Sequence, residues 1–237
     1  MAKDFLESAQ SLATANRILA NEGVLDAFGH VSMRHPVDSN RFYLARSLAP
    51  ELVTPADILE FDLTSEPIGG AQVALYSERV IHGAIYSARP DVQAICHHHA
   101  SAMLPFCLTQ LKLSVVTQLG ATIGTHVPSW DQRDEFGATN HLVTRPEEAA
   151  ALACCLGNSN LVLMKRHGVT VVAGSLRELA FRSVYSCRDA DLQLRALQYG
   201  PLDKFRDAEI EMASKFSEAT ISRAWDLWRA RLGASQS

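Results

Sequence analysis

The chain has 237 residues, 47% hydrophobic and 20% charged, enough apolar material for a well-cored globular protein. With 22 lysines and arginines against 26 aspartates and glutamates the net charge is -4, which gives no electrostatic basis for binding nucleic acid or an anionic membrane. The apolar runs are far shorter than a membrane span, the start carries Lys3, Asp4 and Glu7 rather than a secretory pattern, and the five cysteines include no Cys-x-x-Cys, so buried thiols in a reducing cytoplasm are expected.

Apolar positions Phe5, Leu6, Ala9, Leu12, Ala13, Ile18 and Leu19 recur at helical spacing, predicting a helix over 3–21 that stops near Gly23. Val31 and Met33 alternate with polar residues in a strand entered through Gly29, and 41–45 supplies a hairpin partner. The loop 46–52 leads to a short helix start at Thr54-Pro55-Ala56-Asp57, and 61–63 fits a strand. Residues 77–88 read as a helix with Glu78 and His82 on the face that carries Ile81 and Ile85. An acid and an imidazole on a buried face need a chemical reason.

Further on, 100–109 looks helical, 111–117 like a strand and 120–128 irregular, followed by Trp130-Asp131. Thr144-Arg145-Pro146-Glu147 is a capping box opening a helix over 146–156 that Gly157 ends. Strands at 161–164 and 169–172 flank Lys165-Arg166-His167-Gly168. Ser175-Leu176-Arg177-Glu178 is a second capping box, for a helix to about 199. A last amphipathic helix, over about 205–231, holds Trp225 and Trp228, and either packs on its own domain or covers a neighbouring subunit's site. With no repeat or linker, one α/β domain over 1–237 is expected.

The segment His97-His98-His99 ends a short apolar run after Pro90 that reads as a buried strand. Strand alternation puts His97 and His99 on one face and His98 on the other, so the triple offers two ligands to one metal ion rather than three. His167 is either a third ligand or a packed core histidine; Gly168 after it permits close backbone approach and an unusual φ. Glu78 is either a fourth ligand or a free acid/base beside the ion. His82 is expected to orient a neighbouring group, and His35, His126 and His141 to lie at the surface.

In order, Gly29-His30-Val31-Ser32-Met33-Arg34, Ser77-Glu78 with His82, His97-x-His99 and Lys165-Arg166-His167-Gly168-Val169 resemble the class II aldolase/adducin family across nearly the whole chain. The resemblance implies an α/β fold, a three-layer α/β/α sandwich around a central, mostly antiparallel sheet. It also implies a homotetramer with sites between subunits. His97, His99 and His167 would hold one divalent metal ion, Zn2+ or Mn2+ with Fe2+ or Co2+ as alternatives. Glu78 would serve as acid/base and ligate the metal when substrate is absent.

Sugar-phosphate aldolases of that family use an anion cradle from which this chain departs: Gly29 is followed by His30, the segment 46–50 has no glycine, and Tyr76 stands where a serine would precede Ser77. Phe28-Gly29-His30-Val31-Ser32, the run 47–54, Leu75-Tyr76-Ser77-Glu78 and Arg223-Ala224-Trp225-Asp226 look instead like the decarboxylase branch. Its substrates are hydroxylated aromatic dicarboxylates or related ring-cleavage products. The expected reaction is therefore loss of CO2 through a metal-stabilised enolate, with Glu78 or His30 delivering the proton. Arg46 and Ser47 would hold a small-molecule carboxylate substrate, although Arg46 can equally be a solvated loop cation. The alternatives are an aldolase or epimerase of a small hydroxy-carbonyl compound, an oxygenase on the same scaffold, and an adducin-like interaction module, which predicts lost ligands.

Overall fold

The computed structural model describes residues 2–70 and 72–234. Helix α1 (Ala2–Asn21) is followed by β1 (His30–Arg34), β2 (Arg41–Ala45) and β3 (Ile58–Asp62), then α2 (Val80–Ala88) and β4 (Ala94–His98). After α3 (Leu104–Leu108) come β5 (Ser129–Trp130), α4 (Gln132–Phe136), α5 (Pro146–Leu156), β6 (Leu161–Met164) and β7 (Gly168–Ala173). The chain finishes with α6 (Leu176–Ala196), α7 (Asp207–Ala213) and α8 (Glu218–Ala234). Among the described residues no helix is long and apolar enough to cross a membrane.

The strands form one sheet in the order β3-β2-β1-β4-β7-β6-β5, antiparallel at every pair except β5 with β6. Helices α1, α6 and α8 pack on one another along one face, while α2 and α5 pack together on the other. This is the α/β/α sandwich with a mostly antiparallel sheet that the family resemblance implies. The register aligns His30 with His97, and His97 with Thr170, in one row across β1, β4 and β7. Strand alternation sends that row toward α2 and the adjacent Val31–Cys96–Val171 row toward α1 and α6.

Several boundaries differ from those predicted, each for a local reason. The strand expected at 61–63 is β3, Ile58–Asp62, ending where Asp62 Oδ1 accepts the N–H groups of Thr64 and Glu66 in a turn. Residues 100–109 are helical only over Leu104–Leu108. Residues 111–117 form no strand: the N–H of Ser114 goes to Gln193 Oε1, and those of Val116 and Thr117 go to the Asp189 carboxylate, so side chains of α6 replace a sheet partner. Glu148, rather than Glu147, caps α5 by accepting the N–H groups of Thr144 and Arg145 at 3.1 Å each.

The expected final helix is two helices. Phe216 turns in against Phe181 with ring centroids 4.9 Å apart, and Ser217 Oγ accepts the N–H of Thr220 to start α8 anew. Trp225 and Trp228 are buried within their own chain, where α8 lies on α1 and α6. Cys96, Cys107 and Cys187 are buried free thiols, but Cys154 is exposed and Cys155 partly so, because the outward side of α5 carries them.

Candidate metal centre

Three segments deliver the four residues of the site. Glu78 lies in a single 3-10 turn, Ser77–Arg79, and its own φ of -92° and ψ of 15° break the path into α2. The 77–88 segment is thus not one continuous helix, and the kink frees Glu78 from the helical face expected to carry it with His82. Such bridge-region backbone is common in active sites. Glu78 Oε1 accepts the N–H of Val143 at 2.8 Å, which leaves Oε2 to face the histidines.

His97 is the last inward residue of β4, fully buried, and His99 follows just past the strand end. His167 sits in the β6–β7 turn. That turn is pinned on both sides: Lys165 N donates to Trp130 O, Arg166 N to Cys107 O, and the Arg166 guanidinium pairs with Asp131. Arg166, not Gly168, takes the unusual conformation, with φ of 60°, at a cost of roughly 1–2 kcal/mol for a residue with a Cβ. Gly168 serves close approach, since a Cβ there would lie 2.5 Å from His98 O and 2.7 Å from His99 Cδ2.

Ligand atoms of Glu78, His97, His99 and His167 all lie within 4.8 Å of one another. His97 Nε2 is 3.1 Å from His99 Nε2 and 3.8 Å from Glu78 Oε2, and His167 Nε2 is 3.4 Å from the same oxygen. Tetrahedral bonds of about 2.1 Å place neighbouring ligand atoms roughly 3.4 Å apart, so the cluster has the dimensions of a four-coordinate divalent site. The far nitrogens are consistent with that. Thr170 Oγ1 donates to Met164 Sδ at 3.4 Å and so accepts the Nδ1–H of His97 at 3.1 Å, which bares His97 Nε2. His99 Nδ1 faces Asp26 Oδ1 at 3.6 Å. Two bare imidazole nitrogens at 3.1 Å repel unless a cation or proton stands between them. Among the ligand candidates, His167 Nδ1 alone is buried without a partner.

Burial favours the neutral form of His97 and His99. Burial, then the like charge of the neighbouring rings, holds His97 well below the ordinary histidine value and lowers His99 too, which Asp26 partly offsets. In Asp26, burial pushes the carboxyl up, but the N–H groups of Phe28 and Gly29 and the attraction of His99 bring it down overall. Neutral imidazole is the ligating form. His98 points to the opposite side of the sheet, fully buried, with Nδ1 accepting the N–H of Ala100.

A pocket of about 830 Å³ opens over the cluster, lined by His30, Ser47, Tyr76, Glu78, His99 and His167 together with Asp26, Ala27, Phe28, Leu48, Ala49, Ser77 and Leu142. Arg46 is not part of that lining; its Nε donates to Asp57 Oδ1 at 2.7 Å behind the wall. The Tyr76 hydroxyl donates to Leu48 O and so ties the 46–49 loop to the turn bearing Glu78. His82 contacts no ligand: its Nε2 lies 2.7 Å from His30 Nδ1. Asp26 and Thr170 carry no motif that marks them in the sequence, and Tyr76 drew notice only as a departure. A second hollow of about 900 Å³, with Lys112, Lys165, Lys204 and Arg206 on its wall, includes none of the four clustered residues.

The layered fold and the three-histidine, one-carboxylate cluster define an α/β protein with a candidate divalent-metal centre at the strand ends. The chain belongs to the class II aldolase and adducin N-terminal domain family, whose pattern matches residues 10–194. It is 31% identical over 235 residues to the decarboxylase tropJ of Talaromyces stipitatus, covering 89% of this chain and 88% of that protein. It is 24% identical to the 3,4-dihydroxyphthalate decarboxylase of Arthrobacter keyseri over 95% of this chain and 94% of that one. Its fold superposes on L-fuculose 1-phosphate aldolase from Glaciozyma antarctica with a TM-score of 0.80 at 22% identity, over 98% and 90% of the two chains. These relatives indicate an enzyme of the aldolase and decarboxylase type.

Proposed function

We propose that the protein is a divalent-metal-dependent decarboxylase of a hydroxylated aromatic dicarboxylate or a related ring-cleavage product. The observation that carries this reading is the convergence of Glu78 Oε2 with three histidine nitrogens beneath a pocket whose other walls suit an aromatic acid. Phe28 and Leu142 project there with 74% and 41% of their surface exposed, apolar area available to an aromatic ring.

His97, His99, His167 and Glu78 would hold the ion; three imidazoles and a carboxylate suit Zn2+, and the family resemblance offers Mn2+ as the alternative. Bound there, it would supply Lewis-acid stabilisation for the electron pair left on carbon as CO2 departs. When substrate displaces it from the ion, Glu78, braced through Oε1 by Val143, would pass from Oε2 to the carbanion a proton drawn from water. Ser47 Oγ, which makes no hydrogen bond among the described residues, addresses a substrate carboxylate. Arg46 adds positive charge behind it while paired with Asp57. His30 faces the same space from β1.

Phosphate fits this pocket poorly. The N–H groups of Arg46 and Ser47 are already given to Asp57 O and Ala74 O, and Pro50 has none, so the loop offers few free donors for an anion cradle. The test is metal analysis of the purified protein combined with product analysis on a panel of hydroxy-aromatic dicarboxylic acids. Metal-dependent CO2 release supports the reading. An aldehyde fragment or an isomer as product, or consumption of oxygen, overturns it. The protein is proposed to act as a homotetramer in the cytoplasm.

A further inference from the structure

Behind His30 runs a row of buried side chains whose hydrogen bonds go to one another and to none of the four clustered residues. His30 Nδ1 lies 2.7 Å from His82 Nε2, His82 Nδ1 lies 2.6 Å from Ser32 Oγ, and Ser32 Oγ lies 2.9 Å from Tyr86 OH. All four side chains are buried. They come from alternate residues of β1 and from positions 82 and 86, one helical turn apart on α2, so the packing of α2 on the sheet aligns them.

The row has a direction. Tyr86 OH carries one proton, and among the described residues Ser32 Oγ is the only hydrogen-bond partner its hydroxyl has. A buried phenol that accepted from Ser32 would leave its own O–H without an acceptor, so Tyr86 donates to Ser32. Ser32 has a single proton and therefore passes it to His82 Nδ1. Burial holds His82 down at about 3, so it is neutral; with Nδ1 accepting, its one N–H is at Nε2 and donates to His30 Nδ1. His30 then carries its hydrogen at Nε2, the nitrogen on the pocket side.

We propose that Tyr86, Ser32 and His82 are positioning residues that lock His30 as an Nε2–H donor, so that His30 hydrogen-bonds a substrate oxygen on which negative charge develops and does not act as a base. The row is a brace rather than a proton wire. Its far end is a buried phenol that desolvation makes harder to ionise, so it cannot resupply a proton that His30 gave away. The role of His30 toward an oxyanion rests on the decarboxylase reading above; its tautomer does not.

The experiment is long-range 1H–15N correlation on the full-length protein with 15N-labelled histidine, holding the metal with which it is purified. His30 is identified by the signals lost in His30→Gln. A protonated Nε2 with a bare Nδ1 is expected, and the opposite tautomer or a charged ring overturns the proposal. Tyr86→Phe deletes only the hydroxyl and should give a mixed His30 tautomer; an unchanged one shows that the row fixes nothing. Ser32→Ala makes the same measurement if Tyr86→Phe does not fold. In turnover, His30→Gln keeps an amide N–H and should stay within about 10-fold of the parent, whereas His30→Leu should lose about 100-fold or more, the size expected for one oxyanion donor. Equal losses for Gln and Leu overturn the donor role. If no panel acid releases CO2, the decarboxylase reading fails while the spectra still decide the tautomer.

Discussion

Thr170 Oγ1 sits 3.1 Å from Nδ1 of His97, across the β4–β7 pair that places the two residues opposite each other. A hydroxyl there settles which nitrogen of His97 bears hydrogen. Thr170→Val keeps the shape but removes the acceptor, leaving a buried N–H unpaired. Metal affinity should fall roughly 10- to 100-fold, the usual effect of losing a partner that orients a ligand. Competition against a chelator of known affinity measures it, and an unchanged affinity removes Thr170 from the centre.

His97→Ala, His99→Ala and His167→Ala should each yield protein without stoichiometric metal. His98→Ala should retain it, since that ring lies across the sheet. Elemental analysis of the four variants decides. Metal lost from the His98 variant in a folded protein would contradict the assignment by strand alternation.

Glu78→Gln preserves volume and removes the proton-carrying oxygen. Turnover should drop by roughly 100- to 10,000-fold, the range of general acid–base contributions. A Glu78→Gln enzyme with bound metal and full turnover would exclude Glu78 from the proton transfer.

Gly168→Ala places a methyl carbon 2.5 Å from His98 O and 2.7 Å from His99 Cδ2. Strand β4 must then shift against β7, and His99 with it. Overpacking of this kind costs about 1–3 kcal/mol. A lower urea midpoint together with weaker metal binding is expected; a change in neither would show that the backbones have room there.

Burial holds His82 and His98 down at about 3, while an unfolded histidine titrates near about 6.5. Between those values the unfolded chain binds the proton more readily than the folded one. The stability these neutral rings contribute is therefore complete above about pH 6.5 and lost as pH falls, by roughly 2 kcal/mol per ring at pH 5. In metal-free protein, His98→Gln should show a smaller drop in unfolding free energy from pH 7 to pH 5 than the parent. Parallel pH profiles would refute a neutral buried His98.

What the sequence makes legible follows from periodicity and adjacency. Alternation in 97–99 separates His98 from its neighbours before any coordinates are known, and the helix starts at 146 and 176 announce themselves through proline, serine and acidic caps. The misplaced elements are those in which long-range side chains satisfy the backbone. Nothing within 111–117 reveals that Asp189 and Gln193, far along the chain, will take its N–H groups. Nor does the spacing of Glu78 and His82 disclose the kink between them, because a 3-10 turn and an α-helix bury similar residue patterns over so short a stretch. Asp26 escapes notice for the same reason, being an ordinary loop acid until the fold sets it beside His99.

The four ligand candidates come from a kinked turn, a central strand with its exit, and a hairpin tip, and only the β4–β7 pairing brings the last of these to the others. An unfolded chain keeps at most the His97-x-His99 pair, a weak chelate. Nearly all the binding free energy of an ion at this centre would thus belong to the folded state, and by mass action the ion would act as a clamp on the middle of the sheet. Stripping it should lower the melting temperature by an amount set by free metal concentration. Cellular metal supply would then govern how long the molecule survives as well as whether it reacts.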